Sequence, residues 1–275
     1  MSTLEAVQDR SQGQGQNPAR GRVTQGHVIH SEWIKLRTLR STGYTFLAAV
    51  VALIGFGLLF SAVTANRWST LPPDEVGNPA LISLRGYFLA QLAIGVLGVL
   101  VISGEYATGM IRATLAAVPK RLPVLWAKAL VFTAATWVLM TVATLVAFLA
   151  GQALLGSHGT SLGDPGVTRE VLGTGLYLTV VGLFGVAIGA LVRNTAGGIA
   201  TVFGVLLVVP VLAEALPTSW SDHINQYLPS NAGQALISLH QQAHTLAPWT
   251  GFAVFCGYAA LALAGAAVAL KRRDA

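Results

Sequence analysis

Charged residues are scarce in this chain, since only 10% of its 275 residues are Asp, Glu, Lys or Arg. A typical soluble domain carries about 25%, because a surface that faces water needs charge. Hydrophobic residues make up 53% of the chain, and the mean hydropathy is +0.63. The shortage of charge therefore excludes one large soluble domain.

Cysteine and two common catalytic motifs are also missing or nearly so. The single cysteine, Cys256, excludes a disulfide framework and a cysteine-rich metal site within one chain. The sequence has no G-x-x-x-x-G-K-S/T phosphate loop for ATP and no H-E-x-x-H hydrolase motif. We therefore expect this chain not to be an enzyme and to bind no cofactor by itself.

Ionisable residues within the long apolar runs are few. Such residues usually mark an ion or proton pathway. Arg85, Glu105, Arg193 and Glu214 fall near the ends of the runs, where we expect their side chains to reach water. The lack of an acid near the middle of a run argues against a proton-coupled secondary transporter.

Long apolar stretches dominate what remains. A helix that spans a bilayer needs about 20 mostly apolar residues, and six stretches meet or approach this length. They cover approximately residues 43–65, 81–103, 129–155, 171–192, 196–216 and 249–270. We predict an all-α polytopic membrane protein, with a disordered tail over residues 1–27 and a six-span domain over residues 28–275.

The fourth and fifth stretches are separated only by Arg193, Asn194 and Thr195. One helix over both stretches would be far too long for a single crossing. The sequence therefore predicts a tight turn between two spans at this point.

Positive charge is distributed unevenly over the connections. Of the 17 Lys and Arg residues, 14 fall before the first stretch, between the second and third, between the fourth and fifth, or after the sixth. Lys and Arg favour the cytoplasmic side, so we expect both termini in the cytoplasm and the chain in the plasma membrane. The basic pI near 9.8 then reflects topology, and we expect no nucleic-acid partner.

The segment Val28 to Arg40 precedes the first span. At 100° per residue, Ile29, Trp33 and Leu36 share one face. This pattern indicates a short helix in the membrane interface. A basic stretch that only sets topology explains it about equally well.

Two further connections draw attention. The cytoplasmic loop from Gly104 to Lys128 contains a predicted short helix, residues 110–118, which Pro119 ends. On the outer side, His240 and His244 stand at i, i+4, a spacing that can bind a metal. Exposed, solvated histidines explain that pair better, and we expect no metal site.

Small residues lie at helical spacing in the fourth span. Gly185 and Gly189 form a G-x-x-x-G pattern, with Gly182 one turn earlier. Such faces allow two helices to approach closely in a membrane. We therefore expect these three glycines to pack against neighbouring spans.

Two segments resemble bacterial ABC-2 type transporter permeases. Ser31 to Ser41, SEWIKLRTLRS, is similar to the entry helix of that family, and the stretch after the second span is similar to its signature. The positions that match the signature are Gly104, Glu105, Gly109, Thr114, Leu115, Pro119 and Arg121. The six spans and the long fifth-to-sixth connection match as well.

This resemblance implies the membrane subunit of an ATP-driven exporter. A homodimer, or a heterodimer with a similar chain, would form the pathway in the lipid bilayer, and separately encoded ABC ATPase subunits would bind ATP and Mg. The segment between the fifth and sixth spans would dip back and cap the pathway. The implied ATPase-coupling residues are the signature positions together with Glu32, Lys35 and Arg112.

A different class of function stays open at this point. The chain could be a stand-alone membrane scaffold or sensor without transport, whose basic tail binds a cytosolic protein or anionic lipid. A neighbouring gene that encodes a phosphate-loop protein would favour the exporter. The transported substrate cannot be identified from the sequence.

Overall fold

The computed structural model describes residues 25–70, 77–111, 121–217, 223–239 and 245–272. Within these ranges all regular structure is helical. The α-helices are α1 Gln25–Thr38, α2 Arg40–Arg67, α3 Pro79–Leu84, α4 Tyr87–Ala107, α5 Arg121–Leu155, α6 Val167–Val192, α7 Thr195–Phe203, α8 Val209–Glu214, α9 Pro229–Gln234 and α10 Pro248–Arg272.

Six helical segments of the described chain are long and apolar enough to cross a membrane. They are α2, α4, α5, α6, the continuous run of α7 with α8, and α10. This confirms the prediction of an all-α polytopic protein. The predicted tail over 1–27 lies outside the described residues except at its end, where α1 begins at Gln25.

The second span differs from its predicted bounds. The predicted stretch 81–103 crosses a break, because α3 ends at Leu84 and α4 begins at Tyr87. Gly86 occupies the break without room for a side chain, since a Cβ atom there would lie 2.1 Å from the carbonyl oxygen of Leu53. The close approach of α2 therefore requires glycine at this corner.

The predicted turn between the fourth and fifth spans is confirmed. Arg193 ends α6 in the left-handed conformation, with φ 55°. The side chain of Asn194 then accepts a hydrogen bond from the Gly197 amide, 2.9 Å away, and caps α7. Two residues thus reverse the chain.

The fifth span is interrupted halfway by a π-helical turn, Gly204–Val208, between α7 and α8. Pro210 follows directly, in the first turn of α8. Proline has no amide hydrogen and its ring clashes with the preceding turn, so the helix widens there rather than running straight.

Helix α6 lies at the centre of the helical bundle and packs against α4, α5 and α10. Its glycines bring the backbones together: a Cβ atom on Gly185 would lie 2.6 Å from the Gly95 carbonyl oxygen, and one on Gly189 would lie 2.9 Å from that of Val99. Gly182 faces the Phe132 ring and Ile94. Close backbone approach gains dispersion contacts where lipid gives no hydrophobic driving force.

Two short helices, α3 and α9, are held to the bundle by buried polar contacts. Asn78 caps α3 through its side-chain oxygen and donates to both carboxylate oxygens of Glu170, at 2.9 and 2.8 Å. The Tyr177 hydroxyl donates to Gln91 at 2.6 Å and accepts from Gln234 of α9 at 3.4 Å. Glu170 and Tyr177 are fully buried, so these bonds satisfy groups that water does not reach.

We predict that Gly98→Ala destabilises the protein. A Cβ atom at Gly98 would lie 2.2 Å from the Gly182 carbonyl oxygen, so α4 and α6 must separate. We expect a loss of about 1–3 kcal/mol, measured as a lower midpoint of thermal unfolding in detergent. Gly55→Ala is the matched control, because a Cβ atom there meets nothing within 4 Å. Equal midpoints for the two variants would contradict close packing of α4 on α6.

Candidate functional site

Helix α1 packs on the beginning of α5. Val28, 5% exposed, forms an apolar cluster with Val124 and Ala127. Leu39 then takes an extended conformation, with φ −72° and ψ 109°, and separates α1 from the first span. A single residue therefore lets the chain change direction between α1 and α2.

The apolar face of α1 and its buried position are not the same. On the face predicted to hold Ile29, Trp33 and Leu36, Trp33 is 47% exposed, whereas Glu32 is 3% exposed. The location of this helix in the membrane interface stays a prediction. Helical periodicity does not anticipate a buried carboxylate at Glu32, because Lys128, which pairs with it, lies on another helix.

Four charged side chains meet beneath α1 and form what we term the charge ring: Glu32, Lys35, Glu105 and Lys128. The Lys35 ammonium lies 2.7 Å from Glu32 Oε1 and 3.0 Å from Glu105 Oε1. The Lys128 ammonium lies 2.5 Å from Glu32 Oε2 and 2.9 Å from Glu105 Oε1. Each lysine thus bridges both carboxylates, and the ring joins α1, α4 and α5.

Three of the four ring side chains are buried although the ring lies at the ends of the spans, and Lys35 is partly exposed. Glu105 is 5% exposed and Lys128 is 4% exposed, so the expectation that Glu105 reaches water was wrong. Isolated charges removed from water cost several kcal/mol each, which only paired charges with good hydrogen bonds offset. Two carboxylates and two ammonium groups meet that requirement with no net charge.

Lys128 is the ring member that sequence reasoning missed. It was assigned to the end of the loop, whereas α5 begins at Arg121 and includes it in its second turn. Its position at the boundary of a predicted span was the available signal. A lysine there can equally extend to the lipid head groups, so the sequence alone does not distinguish the two outcomes.

The Lys35 ammonium experiences two opposing influences. Burial lowers its pKa, whereas hydrogen bonds to Glu32 and Glu105 and the charges of these residues raise it. The net result is a pKa above the usual 10.5. Lys35 is therefore protonated at physiological pH and provides a cation for the ring.

The other predicted coupling residues have different outcomes. Gly104 lies in the last turn of α4 with nothing near its Cβ position, and Gly109 has φ +72°, which favours glycine where the chain leaves that helix. The side chains of Arg112, Thr114, Leu115, Pro119 and Arg121 lie outside the described residues. Most of the predicted helix over 110–118 lies outside them too, with Met110 and Ile111 as its described helical part.

One pentapeptide matches a catalytic motif in sequence but not in its structural surroundings. Residues 159–163, GTSLG, match the G-x-S-x-G pattern of serine hydrolases, whose serine stands on a strand-to-helix turn. Here the pentapeptide lies between two helices, and Ser161 Oγ donates to Asp164 at 3.1 Å. Hydrogen bonds from Thr160 and from Ser161 hold the pKa of Asp164 below its usual value. Ser161 therefore stabilises the loop between the two helices through its hydrogen bond to Asp164.

The two histidines that the sequence offers as metal ligands are not among the described residues. His240 and His244 lie outside them. Across the part of the chain that the structure describes, no group of three His, Cys, Asp or Glu side chains could hold a metal ion.

A family comparison decides the class of protein. The model of the family described as ABC-2 family transporter protein matches residues 80–275. The chain belongs to this family. No curated protein matches the chain.

Membership of the ABC-2 family makes the chain a multi-pass permease component of an ABC transporter. It also implies partnership with an ABC ATPase. Glu105 and Lys128 lie within the matched residues, whereas Glu32 and Lys35 precede them. The charge ring therefore connects α1 to the part of the chain that the family model matches.

We predict that Lys128→Met destabilises the protein by about 3–5 kcal/mol, because it leaves two buried carboxylates with one cation. Thermal unfolding in detergent measures the loss, and Lys271→Met, at an exposed position, is the control. Glu32→Gln combined with Lys128→Met should cost less than the sum of the single variants. Strictly additive losses would show that the two side chains do not interact.

Lys35 gives a pH-dependent prediction. A lysine whose pKa is higher in the folded state stabilises fully below its unfolded pKa, and the contribution disappears as pH rises through the folded value. The difference in unfolding temperature between wild type and Lys35→Met should stay constant from about pH 7 to about pH 9 and shrink above about pH 10.5. A difference that grows at alkaline pH would contradict the raised pKa.

Proposed function

We propose that the chain is the membrane-spanning permease subunit of an ATP-driven exporter. In this proposal it forms the pathway as a homodimer or with a similar permease. It hydrolyses no ATP itself, and separately encoded ABC ATPase subunits bind ATP and Mg. The proposal rests on the ABC-2 family match, and one observation of this chain carries the coupling step, namely the charge ring.

The ring connects the segments that a cytoplasmic ATPase would contact. Glu105 lies in the last turn of α4, just before the proposed coupling loop 104–121, and Lys128 lies just after that loop. Because both are paired with Glu32 and Lys35 of α1, a displacement of the loop must also move α1 and α2. We infer that ATP-driven movement of the ATPase subunits reaches the first three spans through these pairs.

The same end of the bundle has further positive charge and polar contacts. Arg193 donates to the Ala269 carbonyl oxygen at 3.2 Å, and its guanidinium lies 5.2 Å from the centre of the Tyr106 ring. The turn after α6 and the ends of α4 and α10 are thus at one level. Since Lys and Arg favour the cytoplasmic side, we propose that this end and both termini face the cytoplasm of a cell whose plasma membrane holds the chain.

The outer end supports the proposed cap on the pathway. Helix α9 packs against α10, and a Cβ atom on Gly251 would lie only 2.4 Å from the Ala232 carbonyl oxygen. Gly233 of α9 is in equally close contact with Phe255 and Tyr177. We propose that α9, packed closely against these residues, covers the outer ends of the spans, as a cap on the pathway requires.

The test uses the full chain purified with an ABC ATPase encoded beside it. In the Glu105→Ala/Arg112→Ala double variant we expect co-purification or transport-coupled ATPase activity to fall about tenfold or more, because removing Glu105 takes from Lys35 and Lys128 a carboxylate that both contact. The matched control is Glu214→Ala/Arg67→Ala, which changes the same charges at exposed positions of the opposite end.

Unchanged binding and unchanged ATPase activity in the loop variant would refute the coupling proposal. A wild-type chain that neither binds nor stimulates the ATPase would favour a scaffold or sensor. Thermal unfolding of both variants distinguishes loss of coupling from loss of folding.

A further inference from the structure

A cavity of about 400 Å³ lies at the end of the bundle opposite the charge ring. It is formed around the first residue of α4, Tyr87, whereas Glu105 of the ring lies in the last turn of that helix. The short 3₁₀ turn Asn225–Tyr227, α9 and the beginning of α10 complete it. The volume is within the range of about 300–1,000 Å³ for ligand pockets. The polar lining groups include the Tyr87 hydroxyl and the side-chain amides of Asn225, Gln226, Asn231 and Gln234.

The cavity offers no charge to a ligand. None of the described residues that line it is ionisable to a carboxylate, an ammonium or a guanidinium. Arg169 contacts one lining residue, Ser238, but its guanidinium donates there to the backbone carbonyl oxygen, at 2.9 Å. An ion that leaves water for a place without a counter-charge loses several kcal/mol of hydration. The cavity therefore favours an uncharged ligand.

One wall of the cavity is held in place from inside the bundle. The Tyr87 hydroxyl donates to Gln234 Oε1 at 3.3 Å, and Gln234 Nε2 donates to the Tyr177 hydroxyl at 3.4 Å. Tyr177 is fully buried and donates in turn to Gln91, at 2.6 Å. Tyr87 and Gln234 are thus positioned before a ligand arrives, which reduces the entropy that binding costs.

Other polar atoms of the cavity have hydrogen-bonding capacity left over. Asn231 donates through its amide nitrogen to the Asn225 carbonyl oxygen, at 3.1 Å. Asn231 Oδ1 and both amide atoms of Gln226 have no hydrogen-bond partner in the described structure, and they are not closed to water. An amide has both donors and acceptors, and so does a hydroxyl group. A ligand with several hydroxyl groups therefore matches these atoms.

We propose that this cavity binds one neutral hexose unit, whose hydroxyl groups form hydrogen bonds with Gln226 and Asn231. A pyranose ring also has apolar C–H faces, and the cavity has apolar walls for them. These walls include Leu81, Ile237, Leu239 and Leu246. The inference concerns ligand binding and does not depend on the proposed exporter function.

The experiment uses the full-length protein in nanodiscs of phosphatidylcholine, because detergents with sugar head groups would compete for the cavity. Saturation-transfer NMR measures binding of the methyl glycosides of glucose, galactose, mannose and N-acetylglucosamine. We expect one or more of them to bind, and the matching uronate, which has a carboxylate at C6, to bind at least about tenfold more weakly. Absence of binding by all four sugars, or equal binding of the uronate, would overturn the proposal.

A second arm separates a free sugar from a lipid head group. The same titration is repeated in nanodiscs that also contain a diacylglycerol with the bound hexose as its head group. Loss of the signal from the free glycoside shows that the lipid head group enters the cavity. A signal that persists shows that the cavity takes the free sugar. Either result supports a neutral hexose as the ligand.

Two variants of Gln226 locate the site. Gln226→Met removes the amide at nearly unchanged length and should raise the dissociation constant about three- to tenfold, as loss of one hydrogen bond does. Gln226→Trp fills the cavity and should abolish the signal. Gln25→Met and Gln25→Trp make the same changes at an exposed glutamine of α1 and should bind as wild type does. Unchanged binding in folded Gln226→Trp would place the sugar elsewhere and overturn the assignment. If Gln226→Trp does not fold, unchanged binding in Gln226→Met overturns it.

Discussion

Pairing of buried charge is the constraint on which the half of this structure that holds the charge ring depends. Glu32, Glu105 and Lys128 are buried, and Lys35 is only partly exposed. The buried charges are tolerable there because opposite charges pair with them. Their contacts hold α1 against the end of α4 and the beginning of α5. Helix α1, which sequence arguments treat as peripheral, is by this criterion part of the domain.

In the middle of the bundle the helices are held together by close packing rather than by charge. Lipid tails are as apolar as the side chains, so burying leucine gains little, and close contact between backbones provides the attraction. The glycines on α4 and α6 allow that contact. The protein thus combines electrostatic pairing at the ends of its spans with shape complementarity in the middle, and α4 takes part in both.

Much of the fold was predictable because bilayer thickness sets the length of a span. Run length alone located six spans and the turn at Arg193. The sequence did not predict features that depend on contacts between residues far apart in the chain. From the sequence Glu32 is expected to be solvated, and its burial is explained only by Lys128, 96 positions later in the chain. The corner at Gly86 also depends on a distant residue, since the backbone of Leu53 leaves no room there for a side chain.

The closed arrangement of the ring also has an evolutionary consequence. A change at any one of its four positions leaves an unbalanced charge out of water, so a lineage can cross from one composition to another only through compensating exchanges. The four positions should therefore behave as one inherited character, retained together or replaced together. Exposed positions such as Arg67 and Glu214 have no such partner requirement in the described structure and can drift independently.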